Sequence, residues 1–305
     1  MTYYILLMLL SATCGTAGTV ISKVVQRQQG TVSMATSMFI IVECGLFGTA
    51  FLYIYNGEWL PVITPYSFWM ATLVTILSNV AMPLLFRILQ FAEISVYKLF
   101  STLGCLLLPY FFGVFCLNEA VTLPNMIGLL LLLSALIVPT VTDIARSGAM
   151  IDKKHLKEFY ILCAISCITT SASTIVCKLH FMHTAHETSS PLVFSMLSYF
   201  MGAVVAGGIL LYLCLAKKQK VQMSSGKRKW FLPVAFMLES ICGAFASYLN
   251  MTCSANLPAS AMAVFSTGFS LVMTTLMAWL FFKERPTWMI VGSMAVTIAA
   301  ITLLS

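Results

Sequence analysis

Charge is what this sequence has least of. Only 9% of its 305 residues are Asp, Glu, Lys or Arg, against roughly 25% in soluble domains. So few charges cannot cover a surface that faces water, which excludes a soluble globular fold. Metal and redox signatures are missing too. The ten cysteines lie mostly within apolar runs and none forms C-x-x-C. Cys163 and Cys167 stand one helical turn apart with no Cys or His group beside them. They read as small apolar side chains in helix packing, and neither a disulfide framework nor a metal site is expected. There is no G-x-S-x-G, no H-E-x-x-H and no pair of aspartates in an apolar run, so an intramembrane enzyme is not expected, and no cofactor is implied. The opening MTYYILLMLLSATCG has no positively charged segment before its apolar run, which predicts a retained first helix and not a cleaved leader.

What fills the chain instead is apolar. Hydrophobic residues make up 60% and the mean hydropathy is +0.95. A bilayer core needs about 20 apolar residues per helix. That length predicts ten spans, at residues 3–22, 32–55, 67–86, 94–117, 122–142, 159–178, 190–215, 230–250, 258–282 and 287–305. The runs are continuously apolar, without the alternation of a membrane barrel, and backbone groups in lipid must pair within each segment. The expected class is an all-α membrane protein. Two connections are longer than the rest, at 143–157 and 216–229, and both read as solvated linkers. The second is polybasic and suits contact with anionic lipid.

The chain also repeats itself. Ser95, Phe100, Ser101 and Thr102 match Ser260, Phe265, Ser266 and Thr267 in the pattern S-x-x-x-x-F-S-T. Carried on without a gap, Glu119 falls on Glu284, and a one-residue slip sets Gly128 on Gly292. Thr19-Val-Ile-Ser-Lys23 likewise resembles Thr174-Ile-Val-Cys-Lys178. Spans 1–5 therefore recur as spans 6–10. Five is odd, so the second copy enters the membrane from the other side, giving two inverted five-helix repeats. The expected divisions are 1–142, a connecting loop at 143–158, and 159–305.

Basic residues set the orientation. The net charge of +7 would suggest nucleic acid in a soluble chain, but no nucleic-acid module is present. Fifteen of the seventeen Lys and Arg fall in the odd-numbered loops or beside them, leaving Lys178 on the other side and Lys98 within span 4. By the positive-inside rule the basic side is cytoplasmic, so both termini face outward from a plasma (inner) membrane.

The end of the chain, Leu280-Phe-Phe-Lys-Glu-Arg-Pro-Thr-Trp-Met-Ile-Val-Gly-Ser293, resembles the close of an EamA-type repeat of the drug/metabolite transporter superfamily, where a Glu-Arg pair follows a long helix and a glycine-bearing helix follows the pair. Residues 95–137 resemble it more weakly, with Asn118-Glu119-Ala120 in place of Glu-Arg. Ten helices in two copies also fit. The resemblance implies a central cavity, alternating access, and export of amino acids, metabolites or toxic organic compounds, often driven by protons or other ions. A homodimer is compatible with it. Many bacterial members have basic, cytoplasmic termini, and this chain departs from that pattern. A membrane scaffold or sensor that transports nothing is the competing reading.

Candidate residues follow from scarcity. Glu43 and Glu239 are the acids placed mid-span, where a carboxylate costs about 2.5 kcal/mol or more. Each therefore faces a wet cavity, pairs, or stays protonated; the functional reading is proton coupling or an anchor for a cation, and the bland one is an interhelical hydrogen bond. Lys98 either snorkels to the interface or partners an acid or anionic substrate. Asn79, Tyr97, Tyr199, Tyr248 and Asn250 are candidates for a cavity wall, with helix packing as the alternative. Two acids and one lysine suit a zwitterion or organic cation. Glu119 and Glu284, with Gly128 and Gly292, read as structural caps and hairpin anchors. Ser266, Ser270, Thr274 and Ala278 recur every four residues, which suits close helix approach or a hydroxyl-lined path. Pro83 and Pro109 predict kinks. The run His180, His183, His186, Glu187 reads as a solvated loop, and Asn250-Met-Thr252, a sequon, abuts the membrane too closely to carry sugar. A reporter active only in the cytoplasm, fused after Ser305, is expected to be silent; activity there reverses the orientation.

Overall fold

The computed structural model describes residues 2–29, 34–88, 94–119, 123–147, 156–182, 187–221, 231–282 and 288–304. These hold ten α-helices: α1 (Thr2–Gln29), α2 (Met34–Asn56), α3 (Pro65–Ile88), α4 (Ile94–Cys116), α5 (Leu123–Ser147), α6 (Leu156–Met182), α7 (Pro191–Leu215), α8 (Phe231–Asn256), α9 (Ala259–Phe282) and α10 (Trp288–Leu304). No strand occurs among the described residues. Five helices are long and apolar enough to cross a bilayer, α2, α6, α7, α8 and α9, and shorter apolar stretches lie in α1, α4, α5 and α10. The exposed side chains along them are themselves apolar, among them Leu130, Val138, Leu211 and Leu280. Lipid is the solvent that tolerates such a surface. The chain is a multi-pass membrane protein.

All ten helices fall where the spans were expected, but several outrun them. α1 continues to Gln29 and α8 to Asn256, where the spans stopped at 22 and 250. Bilayer thickness sets a minimum helix length and not a stopping point. α8 stops where Pro258 follows, since proline disfavours helical backbone in the residue before it. α4 runs on through Pro109 without a break.

Helix neighbours follow a rule. α1 packs on α8 and α9, as α6 packs on α3 and α4; α2 packs on α8 as α7 packs on α3; and α2 with α7, α4 with α9, and α5 with α10 pack directly. Exchanging each helix for the one five places along leaves these neighbours unchanged, whereas the packing of α8 on α6 and α7 has no comparable counterpart, among the described residues, of α3 on α1 and α2. α2 and α7 run in opposite directions: Val42, Gly45 and Gly48 lie beside Gly207, Ala203 and Tyr199 in turn.

Glycine makes the closest of these contacts. A Cβ at Gly45 would lie 2.8 Å from the Ala203 Cβ and 2.9 Å from the Tyr199 carbonyl oxygen, and one at Gly104 would lie 2.6 Å from the Cys167 Cβ. Between membrane helices, where lipid is as apolar as Leu, such backbone approach is a main source of association. Larger side chains fill the rest: Leu106 and Tyr110 of α4, Leu132 and Leu136 of α5, Val264 of α9 and Ala300 of α10 form one buried cluster.

His180 corrects the reading of a solvated histidine loop. It lies in the last turn of α6, fully buried, with Nε2 2.8 Å from the Ser67 hydroxyl and its ring stacked on Phe194 at 4.1 Å. Ser67 also accepts the Ser189 N–H at 2.9 Å, so this histidine joins the starts of α3 and α7 to the end of α6. The neighbouring residues of that run, His183 and His186, lie outside the described residues.

Gly45→Ala is expected to lower the melting temperature of the detergent-purified protein, since overpacking costs about 1–3 kcal/mol. Gly208→Ala, where an added Cβ meets nothing within 4 Å, is expected to leave it unchanged or slightly raised. Equal effects at the two sites contradict the packing account.

Candidate substrate cavity and the bracketed α8–α9 turn

Three helices line a partly open cavity of about 390 Å³. α1 brings Ser11, Ala12, Gly15 and Thr16 to it, α8 brings Gly243, Ser247 and Asn250, and α9 brings Ser266, Ser270 and Thr274. The small residues of α1 explain why it comes near α8: a Cβ on Gly15 would sit 3.8 Å from the Ala246 Cβ, and one on Gly18 would sit 3.6 Å from the Glu239 carbonyl oxygen. Ser11 also donates across the gap to the Ala246 carbonyl at 2.8 Å, and Thr16 donates within α1 to Ala12 at 2.8 Å. The four-residue spacing on α9 thus lines the cavity with Ser266, Ser270 and Thr274. It belongs to the hydroxyl-lined path and not to helix packing alone.

At one end the cavity meets a plug. Met8 of α1, Cys253 and Leu257 at the end of α8, and Met262 and Phe265 at the start of α9 pack together, between the cavity and the α8–α9 turn. The turn itself is held by two charged side chains from elsewhere in the chain. Glu119, after α4, accepts the backbone N–H groups of Ala259 at 2.6 Å and Ser260 at 3.0 Å, and the Ser260 hydroxyl at 2.5 Å. These are the free N–H groups that open α9, and a carboxylate there also favours the positive end of the helix dipole. Lys178, near the end of α6, donates to the carbonyls of Ser254 at 2.8 Å and Leu257 at 2.5 Å, which are the free acceptors that end α8. It is buried, at 6% exposure, and lies within electrostatic reach of Glu119. Gly113 leaves the room this bracket needs, since a Cβ there would stand 2.6 Å from the Glu119 carboxylate. The helix that Glu119 caps is α9 and not the neighbouring α5. Lys178 was counted among loop residues, and the structure moves it inside α6 and into the protein.

The two mid-span acids both lie near Cys44, and neither is on the described cavity wall. Glu43 and Glu239 are both half-buried and both lie within electrostatic reach of the Cys44 thiol. Tyr199 lies within reach of Cys44 and Glu239. Ser240, next to Glu239, donates to the Cys44 carbonyl at 2.5 Å, which ties α8 to α2 at this level. The Tyr199 ring lies against Gly48, and its hydroxyl is 3.2 Å from where a Cβ on Gly243 would be. Gly243 lines the cavity, so the acid cluster reaches the cavity through α8, with Glu239 one turn along.

The other sequence candidates separate. Asn250 is on the cavity wall. Tyr248 packs against Tyr55 and Phe245, at centroid distances of 5.9 and 6.2 Å, and Asn79 is buried within α3; neither appears on the described wall. Gly128 is buried in α5, and Gly292 lies exposed on α10 with open space around it. The side chains of Tyr97, Lys98 and Ala278 and all of Glu284 lie outside the described residues. Sequence reasoning missed Lys178, Gly113 and Cys44. The signal for Lys178 was available, because it aligns with Lys23 and is flanked by Val176, Cys177, Leu179 and Phe181, a context poor for a solvated loop.

A crystal structure of another protein aligns over 99% of this chain and 98% of its own length, with a TM-score of 0.74 at 14% identity; at that identity the likeness is one of fold. No curated protein sequence matches the chain. The EamA-like transporter family matches residues 158–305, from the start of α6 to the end of the chain. Through this second half the chain is similar to the EamA-like transporter family, within the drug/metabolite transporter superfamily, which supports a membrane transporter.

Proposed function

We propose that this chain is a secondary transporter that exports a small solute by alternating access, built as two inverted five-helix repeats divided at residues 1–142 and 159–305. The cavity carries the reading, because it lies where α1 of the first half meets α8 and α9 of the second. Such a place between two halves is where rocking one against the other exposes a bound solute to each side in turn. The inverted duplication is supported by the exchange rule among helix neighbours and by the antiparallel course of α2 and α7, the directions that corresponding helices take when one copy is turned over. A scaffold or sensor needs no hydroxyl-lined cavity at that place.

In this reading the conformation is the one closed at the α8–α9 turn. The plug of Met8, Cys253, Leu257, Met262 and Phe265 seals the cavity there. Glu119 and Lys178 latch the turn from two other connections. By the charge pattern this end faces away from the cytoplasm. Opening it separates α9 from Glu119 or α8 from Lys178, so both are part of the working cycle. Glu239 and Glu43, beside the cavity and linked to it through Tyr199 and Gly243, supply the site at which a coupling proton is taken up and released.

Two outcomes are expected. Glu119→Gln and Lys178→Met each weaken the latch, by about 1–3 kcal/mol for a buried polar group left unpaired. In a variant retaining Cys253 as its one cysteine, both are expected to speed labelling of Cys253 by a membrane-impermeant maleimide added at the α8–α9 side; unchanged labelling refutes the latch. Glu239→Gln is expected to keep counterflow of pooled labelled metabolites in proteoliposomes while flattening the dependence of net uptake on a pH gradient. Full pH dependence in that variant removes Glu239 from the coupling step.

A further inference from the structure

We infer that the cavity takes an uncharged, polyhydroxylated solute the size of a hexose or hexitol; the inference rests on the transport reading above and specifies its substrate class. The cavity wall mixes hydroxyls and a carboxamide with small apolar residues and, among the described residues, bears no charge. The side chains of Ser247, Asn250, Ser266, Ser270 and Thr274 make no hydrogen bond among the described residues, so their donors and acceptors are open to a ligand. Ser11 differs, because its proton is already given to the Ala246 carbonyl and it offers lone pairs only. A wall of hydroxyls and one carboxamide matches a ligand whose own groups both donate and accept.

Other solutes fit worse. A cation or anion would leave water for a wall with no described counter-charge, and an ion so placed bears a desolvation cost that nothing on the wall repays. Neither acid is a residue of the described wall: the Glu239 Cγ lies 3.9 Å from where a Cβ on Gly18 would stand, and Glu43 belongs to α2, which contributes nothing to that wall. The described wall also has no aromatic ring, and so lacks the surface on which organic cations and nucleobases stack. The volume of about 390 Å³ lies at the small end of the roughly 300–1,000 Å³ common for small-molecule sites. Acids near the solute but apart from it fit a division of labour in which they carry protons and the hydroxyls carry the cargo.

The test is counterflow with the purified full-length protein in proteoliposomes, using labelled mannitol, glucose, alanine and tetraethylammonium. Mannitol or glucose is expected to accumulate saturably, with alanine and tetraethylammonium at the level of protein-free liposomes. Asn250→Ala and Ser270→Ala are each expected to raise the half-saturating concentration by roughly fivefold, the loss of one neutral hydrogen bond. Ser270 is largely exposed, so its truncation spares the packing, and elution as a single folded species verifies that. Accumulation of alanine or tetraethylammonium without either polyol overturns this inference and leaves transport standing. Polyol accumulation with unchanged saturation in both variants overturns the assignment of the cavity. Failure of the folded protein to exchange any compound of a pooled labelled metabolite extract overturns the transport reading itself.

Discussion

A peptide group left unpaired in an apolar medium costs several kcal/mol, and the two ends of a helix are where such groups collect. Water meets this need at most helix ends. At the α8–α9 turn the protein meets it with its own side chains: the N–H groups that open α9 go to Glu119 and the carbonyls that end α8 go to Lys178. The two helices bracketed in this way are the two that, with α1, form the cavity. The charges come from the α4 end and the α6 end, so four helix termini are fixed relative to one another by two side chains. The plug beneath the turn packs well because the turn is held, and the cavity has a closed end because the plug packs.

A second constraint works along the helices. Lipid offers no hydrophobic reward for helix association, so contact has to come from shape. Gly45 and Gly48 admit α7, Gly104 admits α6, and Gly15 and Gly18 admit α8. Where the backbones come close in this way, hydroxyls reach across, as Ser11 does to Ala246, Ser171 to Gly104 and Ser240 to Cys44. The same small residues do two things on α1. They bring α8 near, and being small they leave unfilled the space that becomes the cavity.

Polar chemistry inside the bundle is thereby divided between places. The cavity wall has hydroxyls and a carboxamide, the acids sit one turn away beside Cys44 and Tyr199, and the oppositely charged pair Glu119 and Lys178 closes the end. Each group is kept where its cost is lowest. The bracket charges lie against helix ends whose partial charges oppose theirs, while the acids lie at a level where α1, α2, α7 and α8 crowd together with polar neighbours.

Much of the fold was legible in the sequence because hydropathy is a local property. Runs of about 20 apolar residues located all ten helices, and the recurrence of Ser95 and Phe100 at Ser260 and Phe265 pointed to the duplication proposed above. Glu119 was legible as a cap because an acid after a long apolar run has few other uses, and Asn250 was legible as a candidate for a cavity wall. What it caps and what it faces were not legible. Glu119 meets Ser260 across 141 positions and Lys178 meets Ser254 across 76, and no periodicity carries information over such distances. His180 shows the same limit, since nothing local separates a histidine that ends a loop from one that pins α3 and α7 to α6. Sequence by itself determined the solvent, the number of helices and the scarcity of charge, because each follows from composition within one segment. Only the tertiary structure decided which hydroxyls line a cavity, which acids stand beside it and which charges latch its end, because each depends on which helices the glycines allow to touch.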